Sequence, residues 1–139
     1  MKGFTAHNLI LVMSITLVCV VLGAPTIPNF TIRSKLVEAL AAADSAKTAV
    51  SITCSVNPII SVLNNNMVGF DFHESKYVKD VKVDGSCRKP VITVFTANTG
   101  SSFDPIIAIH GEFLADTGHI SWACVSNGVN EQLPKACRR

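Results

Sequence analysis

The chain predicts an α+β fold, a long N-terminal helix packed on a four-stranded antiparallel sheet, and three observations carry that prediction. An uncharged apolar run from Leu9 to Ala24 leads towards a second helix-patterned stretch that begins at Thr31. Four short segments rich in branched residues follow, and a turn signal containing glycine separates each from the next. The length, 139 residues with 16% charged and 48% hydrophobic, leaves room for one domain around one core and excludes disorder. A net charge of +2 is too small to imply a dedicated nucleic-acid protein or a polybasic membrane binder.

Only Ser14, Thr16 and Gly23 interrupt the apolar run. As a cleaved secretory signal it has Lys2 ahead of an apolar stretch, but a cut after Ala24 would put Leu22 three residues upstream and Pro25 directly after the cut. As a lipoprotein signal it would need a small residue before Cys19, where Val18 stands. As a retained anchor it is near the lower edge of the roughly 20 residues that cross a bilayer core. The uncharged flanks from Phe4 to Phe30 extend it to an adequate length.

From Thr31 to about residue 53 the spacing predicts an amphipathic helix. Leu36, Leu40, Ala43 and Val50 fall on one stripe with Val37 and Ala41 beside it, while Arg33, Glu38, Asp44 and Lys47 lie largely outside it. Pro25 and Pro28 remove two backbone donors between the helical halves and are expected to bend or locally melt the chain there.

Residues 54–75 read as a connecting loop, marked by Asn57-Pro58 and Asn64-Asn65-Asn66, with a short apolar piece from Ile59 to Leu63. The sheet is expected over 76–125. Tyr77 to Val83 alternates with period two, and Asp84-Gly85 turns the chain into Val91 to Thr96. Asn98-Thr99-Gly100 leads to Pro105 to His110, and Asp116-Thr117-Gly118 to His119 to Val125.

Cys19 lies in the apolar run and reads as a small buried hydrophobe. Cys54, Cys87, Cys124 and Cys137 are an even set without a CxxC pair, which disfavours a zinc site or a thioredoxin-like motif and favours disulfides in any of three connectivities. His7, His73, His110 and His119 show no metal-binding spacing, and no nucleophile-elbow or phosphate-loop pattern is present. The chain therefore reads as non-enzymatic, with no cofactor or metal. His110 and His119 read as ordinary strand histidines, and Asp71, His73 and Glu74 as a solvated loop cluster.

Recognition is better supported. The loop Val125, Ser126, Asn127, Gly128, Val129, Asn130, Glu131, Gln132, Leu133, Pro134, Lys135 and Ala136 is polar and rich in turn formers, and suits either a binding loop or a clasp holding the C-terminus to the sheet. Lys76, Lys79, Lys82, Arg88 and Lys89, with Lys135, Arg138 and Arg139, form two basic groups, but Lys79 falls on the strand face opposite Lys76 and Lys82. They most simply solubilise a sheet edge, and DNA contact is the lesser reading.

Met1-Lys2-Gly3-Phe4-Thr5, the apolar run, Pro25, Phe30 and Arg33 resemble the N-terminus of type IV pilins. Trp122-Ala123-Cys124 and Leu133-Pro134-Lys135-Ala136-Cys137 look like the C-terminal disulfide region of pseudomonad-type pilins. The resemblance implies a leader over 1–3 cut between Gly3 and Phe4, N-methylation of Phe4, an apolar transmembrane and assembly helix over 4–30, and a globular head over 31–139. It implies a lollipop shape with the apolar half of the helix protruding. It also implies a Cys124–Cys137 bridge closing a loop over 124–137, which leaves Cys54 to pair with Cys87. Asn8 stands where the family carries a glutamate, and the leader is unusually short.

The implied function is a structural subunit of a type IV pilus, serving adhesion, twitching motility or DNA uptake. Implied partners are other pilin subunits, a prepilin peptidase and pilus assembly machinery, the bacterial inner membrane before assembly, and a host receptor at the cell-surface pilus. A minor or DNA-uptake pilin, a type II secretion pseudopilin, and a small secreted disulfide-stapled binding domain are the alternatives.

Overall fold

The computed structural model describes residues 10–17 and 27–138. Residues 10–17 are helical and exposed all round, with Ser14 Oγ and Thr16 Oγ1 turned back onto the carbonyls of Leu11 and Val12 at 2.9 and 3.1 Å. Those bonds hide the two hydroxyls within an otherwise apolar surface. Gly3, Phe4, Asn8, Cys19 and Pro25 lie outside the described residues. Among the described residues no helix is long and apolar enough to cross a membrane.

Helix α1 spans Ile27–Val56 and is longer at both ends than the 31–53 read from the sequence. Pro28 is its second residue, in the first turn, where the missing N–H has no intrahelical partner to lose and the fixed φ of proline matches the helical value; the joint expected at Pro25 and Pro28 falls largely on residues outside those described. At the far end, Ser55 Oγ donates to the Ile52 carbonyl at 2.8 Å, as Thr48 Oγ1 does to Asp44 at 3.0 Å, so these hydroxyls are satisfied within the helix. Asn57 makes the last bond, to Thr53 O at 3.0 Å, and Pro58 then disfavours helix in the residue before it.

Four strands follow: β1 (Val78–Gly85), β2 (Pro90–Thr96), β3 (Ile106–Leu114) and β4 (His119–Ser126), paired antiparallel in the order β1-β2-β3-β4. The period-two reading of the first strand fails at Lys79. Val78 pairs with Thr96 and Asp80 with Phe95, so Lys79 is an extra residue, and the bulge lets Val78, Val81 and Val83 all point inward. Strand β3 continues past His110 because β4 pairs with it as far as Leu114 opposite His119. Gly111 sits on its inner face where an added Cβ would lie 2.6 Å from Pro90 and 2.8 Å from both Ile120 and Trp122. A glycine at this position lets these side chains close over the strand.

The core joins Ile32, Leu36, Ala39, Ala43, Ala46, Val50 and Cys54 of α1 to the inward residues of the sheet, Ile92, Val94, Ile107 and Ile109 among them. Three alanines at the centre of the helical stripe let α1 approach closely, and it packs chiefly on β1 and β2. Leu36, Ala43 and Val50 of the expected stripe are fully buried, whereas Leu40 is half-buried and Val37 and Ala41 are exposed, so the buried face keeps that stripe but leans towards Ala39 and Ala46.

The connection over 57–77 also has a definite structure. Asn65 acts as a backbone surrogate on the outer edge of β1, its Nδ2 donating to Val81 O and its Oδ1 accepting from Val83 N, both at 2.7 Å. Leu63 N donates to Gly85 O at 2.8 Å and Cys87 N to Ile60 O at 3.0 Å. The loop thereby covers an edge strand that would otherwise invite pairing.

Candidate functional site

Two disulfides tie the elements together. Cys54 at the end of α1 is joined to Cys87 in the β1–β2 turn, and Cys124 of β4 is joined to Cys137. The second closes the C-terminal loop, which folds as a 3-10 turn at Asn130–Gln132 and another at Lys135–Cys137.

Much of that loop is spent on holding itself down. Ser126 Oγ donates to Ile106 O at 2.9 Å and accepts from Gly128 N at 3.2 Å, while Asn127 Oδ1 accepts from Ile106 N at 2.8 Å and so finishes the start of β3. Leu133, Pro134 and Cys137 are buried, and Arg138 Nε donates to Leu133 O at 2.9 Å. Gly128 has no room for a side chain, since an added Cβ would lie 2.9 Å from both Leu133 and Pro105. Val125 is half-buried on β4. The outward rim is Asn127, Val129, Asn130, Glu131, Lys135 and Ala136. Clasp and exposed surface are thus two sides of one loop.

Contacts from distant parts of the chain complete this end, and spacing alone does not reveal them. Gln132 is the junction: its Oε1 accepts from Ser101 Oγ at 2.7 Å, and its Nε2 donates to Asn29 Oδ1 at 3.5 Å. Arg33 Nη2 donates to the carbonyl of Glu131, while its buried Nε has no partner among the described residues. The start of α1, the β2–β3 loop and the clasp therefore form one surface. Asp104 shapes the β2–β3 loop, its carboxylate accepting from Thr99 Oγ1 at 2.7 Å, Thr99 N at 2.9 Å and Asn98 N at 3.2 Å. These bonds, Thr99 Oγ1 first, hold the Asp104 carboxyl below its usual range, helped by the charge of Lys35 and opposed by slight desolvation. Lys35 Nζ in turn donates to Thr99 O at 2.9 Å. An Asp before Pro105 and downstream of Asn98-Thr99-Gly100 was the available signal for this turn.

The outward face of α1 is also informative. Phe30, Ser34, Val37, Ala41, Ser45, Thr48 and Ile52 are exposed and recur every three or four residues, opposite the buried stripe. Phe30 is 70% exposed, Ile52 61% and Val37 54%. No charged side chain interrupts this exposed row.

The basic residues do not form one stripe. Lys82 lies 3.8 Å from Asp80 and over the Phe95 ring, Lys76 lies over Tyr77, Lys79 is in the bulge, and Arg88 and Lys89 are in the β1–β2 turn. His110 pairs with Ala123 and His119 with Leu114, so the two histidines are not cross-strand partners. Among the described residues no cluster of three metal-ligating side chains occurs. Asp71, His73 and Glu74 are exposed in the loop before β1.

Comparison with known proteins gives two matches. A family model described as "Pilin (bacterial filament)" matches residues 32–138. The fimbrial protein EcpC of Eikenella corrodens is 30% identical along 99% of this chain and 90% of its own length.

Proposed function

The chain belongs to the pilin family and is a structural subunit of a bacterial fimbrial filament, and from that premise we propose how it is made and used. It is synthesised as a prepilin with residues 1–3 as leader, held in the inner membrane by the apolar helix over 4–30, and cut between Gly3 and Phe4, with N-methylation of Phe4. Prepilin peptidase and the pilus assembly machinery then pass it into the filament, where copies pack through their N-terminal helices, with Asn8 and Pro25 in the assembly segment. Its role in the filament is mechanical and adhesive rather than catalytic. The exposed rim from Asn127 to Lys135 meets a receptor.

The observation that carries this reading is the pair of opposite uncharged faces on α1, one buried in the head and the other open along the whole helix. An uncharged face carrying Phe30, Val37 and Ile52 suits burial against neighbouring subunits. N-terminal sequencing of the mature protein from sheared surface filaments tests the proposal. Methylated Phe4 at the start is the expected result. An intact Met1, or a start at Pro25, would overturn it.

A further inference from the structure

Between the connecting loop and the outer edge of β1 lies a cleft of about 440 Å³, walled by Asn64 and Asn66 on one side and by Asp80, Lys82 and Asp84 on the other. Its volume is that of a small-molecule site, for which about 300–1,000 Å³ is usual. Asn65, between the two exposed asparagines, spends both ends of its amide on β1. The backbone carbonyls of Asn64, Asn65 and Asn66 accept from the N–H groups of Val68, Phe70 and Gly69 at 3.2, 2.9 and 3.2 Å. The wall is therefore set before anything binds, which lowers the entropy cost of binding.

The outward polar groups of the cleft are less committed. Asn64 Oδ1 accepts from Met67 N at 2.8 Å, but Asn64 Nδ2, the Asn66 amide and the Asp84 carboxylate have no partner among the described residues. Lys82 Nζ is held 3.8 Å from Asp80 and 5.4 Å from the centre of the Phe95 ring. Two carboxylates disfavour an anion, and the ammonium between them disfavours a metal ion. A ligand that is uncharged and dense in hydroxyls suits the mixture, because each hydroxyl can donate to a carboxylate and accept from an amide or ammonium.

We propose that this cleft binds a neutral glycan, with adjacent hydroxyls of one sugar ring bridging Asp84 and the amides of Asn64 and Asn66, and with Lys82 donating to a further oxygen. The inference goes beyond the filament-subunit reading. It is also separate from the receptor rim at Asn127 to Lys135, since β1 and β4 are opposite edges of the sheet.

The test uses the full chain solubilised in an amine-oxide detergent, which carries no sugar, with lactose, maltose and N,N′-diacetylchitobiose as probes in saturation-transfer NMR. At least one disaccharide is expected to bind with a Kd on the order of 1 mM. Asp84→Asn and Asn66→Ala are each expected to weaken that binding about tenfold, whereas Lys135→Ala on the rim leaves it unchanged. Thermal melts check that the variants fold, and if Asp84→Asn does not, Asn66→Ala decides. No binding of any of the three probes at about 10 mM overturns the proposal. Binding that survives both cleft variants, or that Lys135→Ala abolishes, overturns it as well.

Discussion

Asp104 shows how one carboxylate sets the shape of a loop. It collects three hydrogen bonds from Asn98 and Thr99, holding Asn98 at a φ of 53°, in the left-handed region that asparagine tolerates better than most residues. Its lowered pKa means that the folded state favours the ionised form. The resulting stabilisation is complete above the ordinary carboxylate range and is lost as pH falls through that range towards the lower folded value. Asp104→Asn removes an exposed, solvent-screened charge and weakens the three bonds it accepts, and is expected to cost at most about 1 kcal/mol at neutral pH. In thermal melts of the detergent-solubilised chain the gap between the two proteins should narrow in acid. A constant gap across pH would assign the loss to geometry alone.

Among the elements, α1 and the two disulfides set the stability of the head. The fully buried Ala43 lies midway along the helical stripe, so Ala43→Leu forces α1 off the sheet and is expected to cost about 1–3 kcal/mol in denaturant unfolding. The bridges differ in the chain they close, with separations of 33 residues for Cys54–Cys87 and 13 for Cys124–Cys137. Loop entropy puts their contributions at about 4 and about 3 kcal/mol. Replacing Cys54 and Cys87 by serine is thus expected to lower the unfolding midpoint more than replacing Cys124 and Cys137. The second pair of changes should instead be distinguished by rapid proteolysis between Asn127 and Lys135, because it frees the clasp. The reverse order of stabilities would mean that the clasp's packing outweighs chain entropy.

At the scale of the whole molecule, the head is a helix and a sheet closed at both ends: Cys54–Cys87 at one, and the junction of Asn29, Gln132 and Ser101 at the other. That closure leaves the outward face of α1 free for neighbours. Val37→Lys with Ile52→Lys changes only exposed positions and is expected to leave monomer stability within about 0.5 kcal/mol. The same variant should sharply reduce surface filaments counted by electron microscopy. Filaments at normal numbers would show that this face is not used in assembly.

Much of this molecule was legible in order along the chain. The strands, their turns and the long helix are local patterns, written in branched-residue alternation, glycine placement and helical spacing, and so is the mixture of an apolar N-terminal segment with a charged head. Resemblance at the two ends of the chain pointed to the family that the matches then showed. What spacing could not supply were contacts between residues distant in sequence. The bulge at Lys79 arises because β2 and the helix demand that Val78 and Val81 face the same side. The buried stripe turns towards Ala39 and Ala46 because a sheet surface selects small residues at close approach, which hydrophobicity alone does not rank first. Local propensity and periodicity determined the elements; the register of the sheet, the face of α1 that it buries and the meeting of Asn29, Ser101 and Gln132 were decided only when those elements packed, since each depends on a partner far away in the chain.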